Sequence, residues 1–569
     1  MILQALTKLY DDLLKTRAIP LPGWSQIKVG FALCIDETGE LTQIVPQIRT
    51  VERKNKTVTE NRTMELPAAV KRTVGIKSNF LWDNAAYILG LDEKGKVDRF
   101  NACRQLHKEI IGTPQGKEAK AILSFFEKWI PGEADVNPIV AEMKEELCKG
   151  SNLVFMVNGV FAHEVPELKE AWTRYYEQAD GEMIQCLING ENDVLERVHP
   201  AIKGVRDAQS SGAALVSFNA DAFCSFNREQ GANAPIGKTA AFAYTSALNH
   251  LLAEKNDVQF IGDTTVVCWA DGAKPQYRAL SSASLFGQAP PAGMTEDELR
   301  AIVKRLANGL ACPEFDLSPD TVFFILGLAP SAARISVRFF YRNSFGALMK
   351  NVNDHYERLQ IVGERSETLP LWALLRETVN PKASDKTPSP VLSGSVTRAV
   401  LEGTRYPAAL LEAVTLRIRA ERNINSAKAA IIKAYYLKNQ NPKVPKEVLT
   451  VSLNESSTNV PYTLGRLFAV YEAAQERANP GISATIRDKY FNAAAATPAH
   501  IFPVLNNLYQ HHLRKMDAGY RVFFEKQVGA LTGNLEETLP NRLGLPEQGA
   551  FQLGYYHQKQ KRFEKKENN

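Results

Sequence analysis

The chain has 569 residues, of which 44% are hydrophobic and 23% are charged, and its formal net charge at pH 7 is +5. This composition is that of an ordinary globular protein, and the length exceeds what one hydrophobic core supports, so we expect about two to four domains. No apolar run approaches the ~20 residues needed to cross a bilayer, and the first residues carry acids and no cleavage site. The sequence therefore predicts a cytoplasmic protein that is not embedded in a membrane.

The seven cysteines are scattered along the chain, which excludes the close ligand pairs of a zinc finger or ribbon. An odd number of dispersed thiols is typical of reduced, mostly buried cysteines. The nine histidines form no HExxH motif, and the chain has no GxSxG motif. We therefore predict neither a metal site nor a cofactor.

The N-terminal part of the chain alternates between strand and helix patterns. MILQALTKLYDDLLKTR (1–17) has apolar residues at helical spacing, and IKVGFALCID (27–36) and ELTQIVPQI (40–48) flank a turn as the strands of a hairpin do. Further strands are predicted at 153–157, 214–218, 264–270, 321–328 and 333–341, and further helices at 167–176 and 296–307. Residues 1–378 are therefore predicted to form a mixed α/β region.

A change of pattern follows this region. Residues 379–397 contain VNPKASDKTPSPVLSG, which is rich in Pro, Ser and Lys and has no periodicity, so we predict a linker there. Residues 398–569 have helical patterns and are predicted to form an all-α bundle. The expected fold class is α+β, a large mixed α/β N-terminal region followed by this C-terminal helical bundle.

The positive charge is concentrated in the C-terminal bundle. Residues 398–569 hold 24 Lys and Arg against 15 Asp and Glu, whereas the rest of the chain holds 44 against 48. One helix is predicted to carry Arg419, Arg422 and Lys433 opposite an apolar stripe, which consists of Leu416, Ala420, Ile424, Ala427, Ile431 and Tyr435. This basic face is interpreted either as a solvated helix surface or as a track for a nucleic-acid backbone.

The stretch GANAPIGKT (231–239) looks like a nucleotide-binding P-loop. A P-loop has four residues between its first Gly and the Gly-Lys pair, whereas five separate Gly231 from Gly237. Pro235 also lacks an N–H group to donate to a phosphate. We therefore predict a loop that binds no ATP, followed by a helix at 238–252.

Eight sequence blocks, taken together and in this order, resemble one protein family, the large subunit of the type I-C (Dvulg-subtype) CRISPR surveillance complex, Cascade. The blocks are NFLWDNAAYILG (79–90), QGANAP (230–235), IGDTTVVCWAD (261–271), ILGLAPSAARISVRFF (325–340), GTRYPAALLEAVTLRIRAERNIN (403–425), LGRLFAVYEAAQ (464–475), ATIRDKYFNAAAATPAHIFP (484–503) and GAFQLGYYHQKQ (549–560). Two positions depart from the commoner pattern: Ser331, where Asn is expected, and Trp82, where a smaller residue is usual.

The resemblance implies a non-catalytic subunit that recognises the protospacer-adjacent motif (PAM) in duplex DNA, helps to open the strands and guides the displaced strand. The implied partners are the CRISPR RNA, target double-stranded DNA, the backbone and handle-binding Cascade subunits, and a helicase-nuclease. The family also makes a small subunit from an internal start within this gene. Because no Met lies between Met349 and Met516, we predict a non-AUG start at a Val or Leu codon within 443–453.

In this context, two polar loops, 71–79 and 226–233, are the best candidates for contacting duplex DNA. They supply Arg72, Lys77, Asn79, Gln230 and Asn233, which are the amide and basic side chains that base-edge readout needs. The alternative is that Asn79, Asn84 and Asn233 cap helices. For the backbone of the displaced strand, the candidates are Arg419, Arg422, Lys428 and Lys433.

Two other function classes stay open at this point. A metal-dependent nuclease could use scattered carboxylates such as Asp263 and Asp271. A purely structural scaffold would bind its partner subunits and have no DNA preference of its own.

Overall fold

The computed structural model describes residues 1–53, 56–70, 72, 75–91, 97–178, 181–254, 257–363, 369–535 and 538–563. The strands are β1 (Trp24–Val29), β2 (Phe31–Ile35), β3 (Leu41–Pro46), β4 (Ile48–Arg53), β5 (Lys56–Pro67), β6 (Trp82–Asn84), β7 (Asn152–Val157), β8 (Val160–Phe161), β9 (Met183–Gln185), β10 (Asn192–Val194), β11 (Gln259–Ile261), β12 (Thr264–Ala270), β13 (Val322–Ser331) and β14 (Arg334–Ser344).

The α-helices up to the end of the predicted α/β region are α1 (Ile2–Lys15), α2 (Ala85–Ile88), α3 (Asp98–Ile111), α4 (Lys117–Lys128), α5 (Pro138–Glu142), α6 (Lys144–Cys148), α7 (Pro166–Glu177), α8 (Lys238–Ala253), α9 (Pro275–Phe286), α10 (Glu296–Ala307), α11 (Phe345–Leu359) and α12 (Leu371–Arg376). Those that follow are α13 (Pro390–Glu402), α14 (Ala408–Glu421), α15 (Ser426–Asn439), α16 (Val460–Ala478), α17 (Ile486–Ala496), α18 (Pro498–Leu513), α19 (Ala518–Thr532) and α20 (Leu545–Lys561). The predicted α+β class is confirmed, because sheets occupy the N-terminal part and helices the C-terminal part.

The chain divides into two compact units. The first comprises Met1–Pro200 and Val216–Leu248, and the second comprises Ala201–Leu215 and the chain from Asn249 onward. The first unit contains a sheet of order β3-β2-β7-β6, in which β2 and β7 are parallel and the short β8 pairs antiparallel with the end of β7. Helices α3, α4 and α7 cover an aromatic core beside this sheet, with Phe100, Phe126 and Phe155 fully buried. A second sheet of order β1-β5-β4 lies in the same unit.

The second unit is organised around an antiparallel sheet of order β11-β12-β13-β14. All seven residues of β12 are buried, so this strand is covered on both faces. One hydrophobic core continues from this sheet through the C-terminal helices to Tyr556. No helix of the described residues is both long enough and apolar enough to cross a membrane.

Three local predictions are corrected by the structure. Residues 214–218 form no strand, and Ala214 makes only an isolated bridge with Arg334. The predicted linker 379–397 is helical from Pro390, where α13 begins with Pro at its first position, as the fixed φ of proline allows. The domain boundaries placed at this linker stay a prediction.

The single helix predicted over 416–435 is in fact two helices. Arg422 ends α14 with a left-handed φ of 51°, and the Asn425 side chain accepts a hydrogen bond from the Lys428 N–H to begin α15. The predicted apolar stripe is therefore interrupted, and Leu416, its first member, is 64% exposed.

Candidate nucleic-acid interface

The first candidate loop folds around the buried carboxylate of Asp83. Asp83 accepts hydrogen bonds from the Asn79 N–H at 2.9 Å and from the Asn84 N–H at 2.8 Å, and it forms an ion pair with Arg72. The Arg72 guanidinium also donates to the Lys77 carbonyl at 2.9 Å and lies 4.1 Å from the centre of the Tyr87 ring. These contacts satisfy a buried charge and close the loop into a fixed shape.

In this arrangement, the three predicted residues of the loop, Arg72, Lys77 and Asn79, have different roles. Asn79 is only 4% exposed, and its Oδ1 accepts from the Val70 N–H at 3.0 Å, so its side chain supports the loop from inside. The prediction that Asn79 contacts DNA is therefore corrected for this conformation, and the alternative that it caps a helix is wrong as well. Arg72 serves mainly as a clamp, whereas Lys77 is exposed and its ammonium has no ion-pair partner within the described part of the chain. Residues 71, 73 and 74 of the predicted loop lie outside the described residues.

A buried histidine supports the same loop from the core. Leu81 has a left-handed φ of 64°, and its N–H donates to Nε2 of His107 at 2.9 Å. Nδ1 of His107 lies 2.8 Å from the Cys103 carbonyl, to which its hydrogen is donated in the neutral tautomer. Burial lowers the pKa of His107 to about 4, so the imidazole is neutral at pH 7. The unusual Trp82 is also accommodated, because its indole N–H donates to the Pro67 carbonyl at 2.7 Å.

The second candidate loop, 226–233, is held together with the preceding Ser225, as loop 225–233, by the side chain of Asn233. Its Oδ1 accepts from the Ser225 N–H at 2.9 Å, and its Nδ2 donates to the carbonyls of Arg228 and Gln230. Gly231 anchors the loop, since its N–H donates to the Arg197 carbonyl and a Cβ at this position would lie 2.4 Å from the Glu196 carbonyl oxygen. Asn233 is therefore an organising residue of the loop, and its amide groups already have partners.

The same loop presents three side chains that the described part of the chain does not engage through hydrogen bonds or ion pairs. Phe226 is 93% exposed, and Arg228 and Gln230 are exposed beside it. Phe226, Asn227 and Gln230 all have left-handed φ values, between 46° and 53°. Non-glycine residues adopt this conformation rarely, and such strain clusters at binding sites. An exposed aromatic ring on a strained, internally bonded loop is available to contact a ligand.

Sequence reasoning missed Phe226 and Arg228, although both lie in the stretch it selected. The signal was present, because a phenylalanine flanked by Ser225, Asn227 and Arg228 in an aperiodic segment belongs to no apolar stripe of a helix or strand. Only the structure shows that the ring is exposed.

The P-loop-like segment does not have the geometry of a phosphate cradle. The Asp193 carboxylate lies at the start of α8 and accepts from the Thr239 N–H at 2.8 Å. Lys238 donates to the Tyr176 carbonyl at 2.7 Å and lies over the Tyr176 ring. A protein carboxylate thus occupies the place where a P-loop holds phosphate.

Comparison with known protein families identifies the chain over almost its full length. Residues 6–563 match the Cas_Csd1 family, described as CRISPR-associated protein. The chain belongs to the Cas_Csd1 family. No curated protein shows significant similarity to it.

In this Cas_Csd1 protein, the four basic residues predicted to track the displaced strand are bonded within the second unit. Lys428 and Lys433 are 3% and 2% exposed; Lys428 pairs with Glu421 and Glu377, and Lys433 donates to the Arg358 carbonyl at 2.8 Å. Their assignment to a DNA backbone is therefore corrected, because neither ammonium is accessible to a phosphate.

The two arginines of the predicted track are also engaged. Arg419 donates to Oε1 of Gln548 at 2.6 Å, and Arg422 donates to the Asp488 carbonyl. They join α14 to α20 and to α17, respectively, across the surface of the helical region. Whether they also contact DNA stays a prediction.

The carboxylates considered for a nuclease lie in no ligand cluster within the described ranges of the Cas_Csd1 chain. Asp263 pairs with Arg338, with 2.8 Å between Oδ2 and the guanidinium. Among the described residues, no group of three or more His, Cys, Asp or Glu side chains is arranged to hold a metal ion.

Proposed function

We propose that this Cas_Csd1 protein is the non-catalytic large subunit of a type I-C RNA-guided surveillance complex in antiviral defence. In this role it recognises the PAM in duplex DNA, aids strand opening, guides the displaced strand and helps to recruit the helicase-nuclease. The observation that carries the proposal is the family match over residues 6–563, together with the eight ordered blocks that resemble the type I-C subunit.

The proposed partners are the CRISPR RNA, target double-stranded DNA, the backbone and handle-binding Cascade subunits and a small subunit from internal translation. In RNA-guided complexes, base pairing to the guide reads most of the sequence, and the protein reads a short duplex element. The protein therefore needs only a small surface with amide, basic and apolar side chains. Loop 225–233 supplies one side chain of each kind.

We assign two different tasks to this loop. Gln230 has the amide that can pair with both N6 and N7 of adenine in the major groove. Phe226 has an exposed apolar ring of the kind that inserts between base steps and unstacks them, a step that costs a few kcal/mol. Because Asn233 and Gly231 fix the loop from within, both side chains are presented on a preformed support.

The test uses the assembled complex with targets that carry a correct or an incorrect PAM. Gln230→Ala should narrow the free-energy gap between the two targets by about 1–3 kcal/mol, the value of one bidentate base contact. Phe226→Ala should slow opening of a duplex target, while binding of a target with a pre-opened bubble at the same position stays unchanged. Strand opening is followed by fluorescence of a base analogue next to the PAM.

Phe523→Ala is the matched control, since Phe523 is also an exposed phenylalanine but lies on α19. It should behave as the unsubstituted protein does in both assays. If neither loop substitution changes PAM discrimination or opening, the loop is not the reading element. If the intact complex shows no PAM preference, the scaffold function replaces the proposed one.

The nuclease alternative has a separate test. The purified chain is incubated with labelled single- and double-stranded DNA in the presence of magnesium or manganese. We expect no cleavage. Cleavage that is lost in an Asp263→Asn or Asp271→Asn variant would instead establish a metal-dependent nuclease.

A further inference from the structure

A cavity of about 360 Å³ in the first unit brings together three basic side chains that lie outside the two candidate loops. It lies between β5 and α7, and its lining includes Arg62 and Thr63 from β5, Lys169 and Thr173 from α7, and His163 from the turn before α7. Trp24, Met64 and Phe161 form its apolar part.

The cations of this cavity have no anionic partner among the described residues. Neither Arg62 nor Lys169 forms an ion pair there, and the Arg62 guanidinium lies 5.7 Å from the centre of the Phe161 ring. Other exposed cations of this unit do have a carboxylate nearby, as Lys117 has Glu37 and Arg49 has Glu60. The cavity therefore retains two charged donors that can pair with an incoming anion.

The imidazole of His163 is the second observation that indicates a ligand. Its side chain is 7% exposed, it lines the cavity, and Nδ1 is buried without a hydrogen-bond partner in the described chain. A buried polar atom without a partner costs about 1–3 kcal/mol and calls for an explanation such as an absent ion or water. Burial, then Lys169, then Arg62 lower the pKa of His163 to about 4, so both cations act on the imidazole.

Two carboxylates limit the charge of the ligand. Glu65 and Glu164 also line the cavity, and both are exposed. With a neutral His163, the two cations and two carboxylates balance, so the lining adds no net positive charge. A dianion such as free phosphate, or a more highly charged triphosphate, would therefore keep more uncompensated charge in the cavity than a monoanion does. A phosphodiester carries one negative charge and accepts hydrogen bonds through two oxygens.

We propose that the cavity lined by Arg62, His163 and Lys169 binds one phosphodiester group of a nucleic-acid backbone. The guanidinium and ammonium pair with the two charged oxygens, Thr63 and Thr173 offer hydroxyl donors, and the sugar packs against the apolar part. The choice of a nucleic acid rests on the proposed function. DNA and RNA share this chemistry, and the experiment separates them.

The first experiment follows His163 in the full-length chain by NMR of ¹³C-labelled histidine, with its signal identified by its loss in His163→Gln. The probes are the dinucleotides TpT and UpU, each with one phosphodiester, and thymidine and inorganic phosphate. We expect a saturable shift of the His163 signal with TpT, UpU or both, and no shift with thymidine. Binding should also raise the pKa of His163, because the bound anion offsets the two cations. A response to TpT alone assigns the site to DNA and one to UpU alone to RNA.

The second experiment measures binding of a twelve-nucleotide strand over at least three salt concentrations. Arg62→Gln combined with Lys169→Gln should weaken binding about tenfold through loss of charge-assisted contacts. The two cations are proposed to contact the same phosphate, so the double variant should lose one phosphate contact. The slope of log binding constant against log salt concentration should therefore fall by about 0.7, and not by about 1.4, the value expected for two separate phosphate contacts. The matched control, Lys120→Gln combined with Lys149→Gln, removes two exposed charges elsewhere in the same unit and should leave both quantities unchanged.

Several outcomes would overturn the proposal. An equal shift with inorganic phosphate means an adventitious ion only, and no shift with either dinucleotide leaves the cavity without this ligand. If the two double variants change affinity and salt slope equally, Arg62 and Lys169 act only through the overall charge of the protein and not as a specific phosphate site. The proposed function fails separately, through loss of PAM preference in the unsubstituted complex, so the two failures are distinguishable.

Discussion

His107 makes the first candidate loop sensitive to acid. Its Nε2 accepts the Leu81 N–H, which requires the neutral imidazole, and its ring is buried against Phe80 and Phe126. The pKa of about 4 in the folded chain lies below the value of about 6.5 of an unfolded histidine. The contribution of His107 to stability is therefore complete above about pH 6.5 and is lost progressively as the pH falls toward 4.

The size of this loss follows from the two pKa values. Between pH 7.5 and pH 5, a histidine with these values reduces the free energy of unfolding by about 2 kcal/mol. His107→Gln keeps an oxygen that can accept from Leu81 but removes the titration. In this variant we expect about 1 kcal/mol lower stability at pH 7.5, from the imperfect replacement of a buried hydrogen bond. The fall of about 2 kcal/mol that the titration of His107 adds between pH 7.5 and pH 5 should be absent.

Hydrogen exchange of peptides that cover residues 79–91 and 97–111 measures this effect, after correction for the intrinsic pH dependence of exchange. The opening free energy of the unsubstituted protein should fall by about 2 kcal/mol more than that of His107→Gln over this pH interval. The other histidine with a pKa of about 4 in this unit, His163, is common to both proteins and cancels in the difference. Equal falls in the two proteins would refute the assignment of acid sensitivity to His107.

Three further predictions address other parts of the chain. Titration calorimetry with ATP and magnesium should give no heat of binding, and Lys238→Ala should assemble normally; micromolar ATP binding that this substitution abolishes would contradict the geometry at α8. Gly465→Ala should cost more than about 3 kcal/mol in thermal or denaturant unfolding, because a Cβ there would lie 1.9 Å from the Phe551 carbonyl oxygen, whereas Gly394→Ala, with open space around it, should be neutral or slightly stabilising. Mass spectrometry of the native complex should find a second product that begins within 443–453, and detection of the full-length chain alone would exclude the internal start.

Elements that depend on local interactions were predicted well. The helix predicted at 296–307 has the observed bounds of α10, where Thr295 and Glu298 form a capping box. The hairpin predicted around ETG forms as β2 and β3, although a register shift occurs between Cys34 and Ile35. In each case the pattern that identifies the element also stabilises it, so no distant partner is needed.

The order of strands could not be predicted in the same way. The parallel pairing of β2 with β7 joins residues more than a hundred positions apart, and no periodicity within either strand specifies its neighbour. The failed strand at 214–218 shows the reverse problem. ALVSF has the residue types of a strand, but Ala214 finds only the isolated bridge to Arg334, and a strand without a continuous partner is not stable.

The roles of the candidate residues could not be predicted from the sequence, because a role depends on what covers each side chain. Lys433 and Arg419 occur in helical sequences that give no sign of their different environments. Lys433 is buried by the surrounding helices, and the same burial lowers its pKa to about 8. A count of charges therefore overstates the basic surface of the C-terminal region, since each lysine that ends at a protein carbonyl is lost to any polyanion.

The loops show the opposite relation between sequence and role. Asn79 and Asn233 have the residue type that reads base edges, yet both use their amide groups to shape a loop. Phe226 has the residue type that normally fills a core, yet it is the most exposed large apolar residue described. The amide groups of Asn79 and Asn233 bond inward and fix their loops, whereas side chains outside these networks, such as Phe226, face the solvent. For that reason, residues that only support a loop can have the residue types of base-reading side chains, and the residue that the loop exposes can have the type that usually fills a core.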